Sequence, residues 1–236
     1  MRLIGSLLFL TYFTVASTVL YVGLMPLLLA PRIIIVRATR FWAWMMLWGL
    51  RVFCGQTYEV RGRENILHGK ALIASKHFSM WEIFAFWTLI DYPSFVLKRE
   101  LMWIPFSSWY ATKMGMIPID RSAKASAMRA LRRASQVALG TNSQIIIFPE
   151  GTRRQPGDPP VYLPGIAGLY THLGVPCIPV TLNSALFWQK RRLLKHPGKI
   201  VIEFLPAIQP GLKREAFMEE LETRIETATN KLLGER

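Results

Sequence analysis

A histidine and a carboxylate separated by four residues mark where this chain could do proton chemistry. They lie in Lys76-His77-Phe78-Ser79-Met80-Trp81-Glu82, after the apolar run Ala71 to Ser75 and at the start of the apolar stretch Met80 to Ile90. The first run reads as a short buried strand and the second as a helix behind it, so His77 falls at a strand end and Glu82 in a helix's first turn. A carboxylate placed there can accept a hydrogen bond from one ring nitrogen, fixing the tautomer that leaves the other nitrogen free to take a proton from a hydroxyl. The same spacing has a second reading. Ser79-x-x-Glu82 is a capping box, with Ser79 as the cap and Glu82 reaching back to the cap amide. Spacing alone does not choose between these two roles of Glu82.

Two further segments bring polar groups to the ends of apolar runs. Gly115-Met116-Ile117-Pro118-Ile119-Asp120-Arg121 reads as a strand that delivers an arginine, whose planar fork can grip a phosphate in bidentate fashion. A surface pair of Arg121 with Asp120 is the plainer reading. Phe148-Pro149-Glu150-Gly151-Thr152-Arg153 closes the clearest strand, Gln144 to Phe148, with a proline that ends the strand and a glycine that lets the backbone turn sharply beside charged side chains. Taken alone it is a tight turn.

The elements that must position these residues alternate in type. Ser94 to Leu97, Met116 to Ile119, Cys177 to Leu182 and Ile200 to Phe204 read as further strands; Trp103 to Met114 and the basic stretch Ala123 to Leu139 read as helices. Phe217, Leu221, Ile225 and Leu232 recur at helical spacing and predict a closing amphipathic helix. Strands alternating with helices predict an α/β domain with a sheet covered on both faces, and the polar motifs fall where strands end, the usual place for a site. The two cysteines, Cys54 and Cys177, match no metal or redox spacing and read as reduced, buried thiols.

With 236 residues the chain can bury one sizeable core, and no Pro/Gly/Ser-rich linker divides it. Hydrophobic residues make up 51% and the net charge is +14, which suits nucleic acid, anionic lipid or phosphorylated substrates alike. The aromatics, however, lie in apolar runs such as Phe41 to Trp48, where stacked bases could not reach, so nucleic acid is excluded as a partner. No charged residue stands between Arg2 and Arg32, a run long enough to cross a hydrocarbon core of ~30 Å as a helix. Pro31 should break that helix. A second apolar stretch, Phe41 to Leu50, is too short to span; bracketed by Arg40 and Arg51 and carrying Trp42, Trp44 and Trp48, it reads as a tilted interfacial helix. The arginines after the first segment place the rest of the chain on the cytoplasmic side. Residues 1–58 are thus expected to form a membrane-associated helical segment and 59–236 the α/β domain. Lys190, Arg191, Arg192 and Lys195 read either as an attraction to anionic lipid, at ~1 kcal/mol per residue, or as a solvated face.

In order along the chain, the segments His77 to Glu82, Gly115 to Arg121, Phe148 to Arg153 and Val175 to Val180 resemble the four blocks of the 1-acyl-sn-glycerol-3-phosphate acyltransferases and the wider glycerolipid acyltransferase family. The first block departs from the usual His-x4-Asp by carrying Glu82, as in a bacterial branch with a KHxSxWE pattern, and Leu163 stands where members often have lysine. The resemblance implies an α/β glycerolipid acyltransferase-like sheet covered by helices. It implies transfer of a fatty acyl group from acyl-CoA or acyl carrier protein to the sn-2 hydroxyl of 1-acyl-sn-glycerol-3-phosphate, giving phosphatidic acid, at the cytoplasmic face of a bacterial inner membrane. His77 is then the general base and Glu82 its orienter, with no acyl-enzyme and Ser79 only a cap. Arg121 holds the acceptor phosphate, and Glu150, Gly151, Thr152 and Arg153 complete the acceptor pocket; no metal and no other cofactor is implied. Two rivals stand beside this reading: another lysolipid as acceptor, such as lyso-ornithine lipid, and a non-catalytic phospholipid-binding adaptor.

Overall fold

The structure, a computed structural model, describes residues 2–104, 106–120 and 124–235. Two long helices come first, α1 (Arg2–Gly23) and α2 (Arg32–Cys54), joined through a 3-10 turn at Met25–Leu29. Then follow β1 (Gln56–Arg61), β2 (Ala71–Ser75), α3 (Trp81–Leu89), β3 (Pro93–Lys98), α4 (Ser107–Met114), β4 (Ile117–Ile119) and α5 (Lys124–Gly140). The chain closes with β5 (Gln144–Ile147), α6 (Gly165–Leu173), β6 (Cys177–Leu182), β7 (Gly198–Phe204) and α7 (Arg214–Gly234).

Among the described residues the strands form one sheet in the order β1-β7-β6-β2-β5-β3-β4. β2, β3, β4, β5 and β6 run parallel, while β7 is antiparallel to β6 and β1 parallel to β7. The carboxyl ends of the five parallel strands therefore meet at one edge, which gathers His77 after β2, Arg99 after β3, Asp120 after β4, Phe148 after β5 and Asn183 after β6.

Helices cover both faces, and the strand period of two assigns residues to each side. Ala71 and Ile73 of β2 pack with Met46 and Leu50 of α2 and with Phe84 of α3. Leu72 and Ala74, on the opposite face, pack with Leu131 of α5, Leu169 of α6 and Phe217 of α7. Burial on both faces explains why this strand reads as a continuous apolar run rather than an alternating one. The expected helix and strands appear within a few residues of their predicted bounds.

Three differences have physical causes. β1 pairs only with β7 at the sheet edge, and its polar sequence Gln-Thr-Tyr-Glu-Val-Arg carries little hydrophobic signal. α6 starts beside Pro164 with two glycines in nine residues, a composition that reads as loop until packing overrides propensity. The second apolar stretch is not a short interfacial piece: Pro31 does end the preceding run, but α2 is continuous for 23 residues and includes Arg32, Arg37 and Arg40. Arginine is a good helix former, so its charge marks where lipid burial becomes costly and not where a helix ends. Arg32 donates to the Met114 carbonyl at 2.9 Å and the Ser143 hydroxyl at 2.8 Å, and Arg40 to the Ile90 and Asp91 carbonyls at 3.0 and 2.8 Å. These arginines pin α2 to the α/β domain.

α1 lies along α2 in close contact. A Cβ on Gly5 would stand 2.1 Å from the Phe53 carbonyl oxygen and one on Gly49 2.6 Å from the Tyr12 ring, so glycine at both positions is what lets the helices approach. The Trp42 indole donates to the Ser17 hydroxyl at 3.0 Å. Phe9 is buried edge-on against Trp188, 5.9 Å between ring centres. Cys54 and Cys177 are free and buried, as their spacing predicts.

Candidate active site

β2 carries His77 past the sheet edge, and α3 brings Glu82 back beneath it. The Glu82 carboxylate is fully buried and its Oε1 lies 3.0 Å from His77 Nδ1. Oε1 also accepts the backbone N–H of Phe78 and of Ser79, each at 2.7 Å, and Oε2 accepts the hydroxyls of Ser79 at 2.7 Å and Ser184 at 3.2 Å. Burial by itself pushes this carboxyl up, but the hydrogen bonds from His77 and Ser79 outweigh it and hold the group below the usual carboxylate range. An ionised Glu82 can only accept, so His77 Nδ1 must carry a proton, and in the neutral ring Nε2 then presents its lone pair. Among the described residues no hydrogen-bond partner meets Nε2, and the His77 side chain is 15% exposed.

Cap and orienter are therefore simultaneous roles of Glu82. It takes the Ser79 amide as a capping box requires, while the Ser79 hydroxyl accepts the Trp81 amide at 3.1 Å. Ser79 is 1% exposed with its Oγ committed to Glu82, which removes it as a nucleophile.

The segment Phe148 to Arg154 packs against His77. The Phe148 ring stacks on the His77 ring, 3.9 Å between centres and 19° from parallel. Glu150 Oε2 accepts the His77 backbone N–H at 3.2 Å, and the Arg154 N–H donates to the His77 carbonyl at 2.9 Å. The chain turns back at Gly151, whose φ of +65° lies in the region glycine enters freely. Thr152 is exposed and Arg153 half-buried at the mouth of this turn. Lys190 closes the turn by donating to the Arg153 carbonyl at 2.7 Å.

The chain matches the acyltransferase family over residues 57–183, more than half its length and including every block of this site. It is 34% identical over 194 residues to the 1-acyl-sn-glycerol-3-phosphate acyltransferase of Pseudomonas aeruginosa, an alignment covering 82% of this chain and 76% of that protein. The chain belongs to the acyltransferase family.

A 1-acyl-sn-glycerol-3-phosphate acyltransferase of Limnanthes alba is 30% identical over 156 residues, 65% of this acyltransferase and 55% of the plant protein. The chain thus spans about half the length of that plant relative. The crystal structure of the 1-acyl-sn-glycerophosphate (LPA) acyltransferase of Thermotoga maritima shares the fold, with a TM-score of 0.78, 22% identity, and coverage of 99% of this chain and 100% of that one.

Of the site residues expected from the sequence of this acyltransferase, Glu82 meets the His77 ring and Glu150 its backbone N–H, and Gly151, Thr152 and Arg153 follow in the turn after Glu150. Arg121 lies outside the described residues; Asp120 beside it forms an ion pair with Arg99 at 3.1 Å. Glu150 turns inward, its carboxylate wholly buried. Sequence reading missed Phe148 as a ring support, Ser184 as a donor to Glu82, and Lys76, whose ammonium meets Glu150 Oε1 at 2.9 Å and Glu226 Oε1 at 2.7 Å. Phe148 and Lys76 stand at the heads of the third and first motifs and Ser184 lies just beyond the fourth block, so position was a signal for each, though not for its partner. The last four residues of that block, Cys177 to Val180, open β6, which is buried along its whole length inside the sheet. Lys195, read as a surface charge, is 4% exposed, with its ammonium 4.6 Å from the centre of the Trp188 ring and 5.1 Å from that of Phe9. It therefore offers nothing to lipid.

Proposed function

We propose that this acyltransferase transfers a fatty acyl group from the thioester of acyl-CoA or acyl carrier protein to the sn-2 hydroxyl of 1-acyl-sn-glycerol-3-phosphate, forming phosphatidic acid in phospholipid biosynthesis. The observation that carries this reading is the 3.0 Å contact between His77 Nδ1 and the buried carboxylate of Glu82, which in the neutral ring leaves Nε2 as the proton acceptor. Nε2 takes the acceptor's hydroxyl proton as that oxygen attacks the thioester carbonyl, a step in which a positioned base contributes about 10² to 10⁴ in rate. The tetrahedral intermediate collapses with loss of the thiolate, which receives the proton from the imidazolium. One ester forms, one thioester breaks and the base is regenerated without an acyl-enzyme. Arg121 and Arg153 hold the acceptor's phosphate, with Gly151 and Thr152 beside them, and Glu150 acts from within the fold.

The acceptor and product are lipids, and a membrane surface is part of the proposal. By length and composition α1 and α2 could each cross a bilayer. Yet α2 is pinned by Arg32 and Arg40 and buries one side against α3, while Leu7, Val15 and Val19 of α1 and Phe41, Trp44 and Trp48 of α2 remain exposed. A tryptophan-bearing apolar face on a helix docked to a domain suits insertion into one leaflet. We therefore place both helices of residues 1–58 in the headgroup region of the cytoplasmic face of the inner membrane, with the domain of residues 59–236 beneath.

Thiol release from acyl-CoA and from acyl carrier protein, followed with and without lysophosphatidic acid, tests the reading. Many turnovers that require lysophosphatidic acid are expected. Turnover with lyso-ornithine lipid alone would reassign the acceptor, and no thiol release with any lysolipid would make the protein an adaptor.

A further inference from the structure

The lysine before the catalytic histidine is buried where no substrate can reach it. Lys76 is 4% exposed, and its ammonium sits between Glu150 Oε1 at 2.9 Å and Glu226 Oε1 at 2.7 Å. Glu226 projects from α7, the last helix, and also accepts the Tyr162 hydroxyl at 2.8 Å. The Leu163 amide donates to the Pro149 carbonyl at 2.9 Å, so the segment bearing Tyr162 is stitched to the turn that bears Glu150. One cation thus joins three parts of the chain distant in sequence: the strand end that carries His77, the Phe148–Arg154 turn, and α7. A buried carboxylate without a partner is strongly unfavourable, and Glu150 is such a carboxylate unless Lys76 is there.

What makes this cluster more than a structural ion pair is its other end. Glu150 uses Oε1 for Lys76 and Oε2 for the backbone N–H of His77, at 3.2 Å. We infer that Lys76 is a positioning residue of this acyltransferase: by fixing the orientation of the Glu150 carboxylate it sets the backbone of His77, and through Glu226 it clamps α7 against the back of the site. The inference rests on the reading of His77 as the base. Lys76 does not touch substrate; it decides where the His77 ring stands relative to Phe148 and Glu82. A displacement of about 1 Å at such a ring lowers turnover about a hundredfold, and binding of either substrate need not change.

The test compares Lys76→Met, the double variant Lys76→Met/Glu150→Gln, and His77→Ala in the full chain, measuring kcat, KM for both substrates and melting temperature. Lys76→Met is expected to lose about ten- to a hundredfold in kcat at temperatures where it is folded, with both KM values within about threefold. The double variant should recover much of that loss, because glutamine leaves no unpaired charge at position 150 and its carbonyl still accepts the His77 amide, while Glu226 keeps the Tyr162 hydroxyl and is 20% exposed. A merely structural lysine would lower the melting temperature and leave kcat of the folded protein in place. Lys76→Met turning over within threefold of wild type, or a double variant no faster than the single one, overturns the inference. Should Lys76→Met fail to fold, the double variant decides: kcat within about tenfold of wild type supports the role and a larger loss refutes it. His77→Ala separates the two claims, since an active His77→Ala sinks the base itself, whereas an inactive one beside a fully active Lys76→Met sinks this inference alone.

Discussion

The rings of His77 and Phe148 lie face to face, 3.9 Å between centres. The first motif supplies the imidazole and the third supplies the wall against which it rests, so two sequence blocks more than 70 residues apart meet at one ring. Phe148→Leu keeps an apolar side chain there and removes the flat face. A stacked pair is worth ~1 kcal/mol, so kcat should fall about five- to tenfold while both KM values hold. Steady-state kinetics at a temperature below both melting points checks this, and unchanged kcat would show that the stack is incidental.

Glu82→Gln tests what happens when cap and orienter are one group. Five donors converge on the carboxylate: His77 Nδ1, the amides of Phe78 and Ser79, and the hydroxyls of Ser79 and Ser184. A glutamine offers one oxygen, and its NH2 must face donors on the other side. Stability should drop by about 3 kcal/mol, the order of losing one or two hydrogen bonds to a buried charge. Turnover should fall about 10² or more, because the imidazolium loses its counter-charge. Thermal melts and kcat measured together decide; full stability with full turnover would refute both roles.

The same carboxylate predicts a pH dependence. Its folded value is lowered, so its stabilisation is complete above the ordinary carboxylate value of ~4.3 and is lost as pH falls through the lowered one. The gap in melting temperature between wild type and Glu82→Gln should be widest above about pH 5 and close as the solution is acidified. Glu150 has the opposite sign. Burial pushes its carboxyl up against the pull of Lys76, so ionisation costs stability as pH rises through that value, and Glu150→Gln should gain on wild type in the same direction. Melting curves from pH 3 to 8 read both trends.

Arg153 stands at the mouth of the turn, and Arg121 follows Asp120 in the sequence. Replacing either by alanine should raise KM for lysophosphatidic acid about tenfold or more, with KM for the thioester changing about threefold at most, since the proposed reading assigns both arginines a charge-assisted contact to the acceptor's phosphate. An equal rise for both substrates would remove these arginines from the acceptor.

Trp44 is 53% exposed and Trp48 47% exposed on α2. Changing both to serine should weaken binding to anionic vesicles about tenfold or more and leave the melting temperature within a few degrees, because these rings touch little of the core. Vesicle flotation reads the first and thermal melting the second; undiminished flotation would move the lipid contact elsewhere.

Much of this was legible in the chain. Continuous apolar runs of four to seven residues mark strands buried on both faces, and the polar motifs fall at their ends, because a parallel sheet leaves only its edge wet. His77 and Glu82 are close in sequence, so a strand end and one helical turn suffice to pair them. The resemblance of four ordered blocks then supplies the chemistry. What sequence could not decide depends on side chains far apart along the chain. The contact of Lys76 with Glu226 spans 150 residues and rests on how α7 docks. Ser184 reaches Glu82 only because β6 lies beside β2, and Phe148 meets His77 only because β5 does. Lys195 looked like a surface charge and is buried under α1, since charge patterning says nothing about which helix will cover a residue. Local periodicity determined the elements and where their motifs end. Strand order, a property of long-range packing, decided which side chains surround the base and which cation never sees solvent.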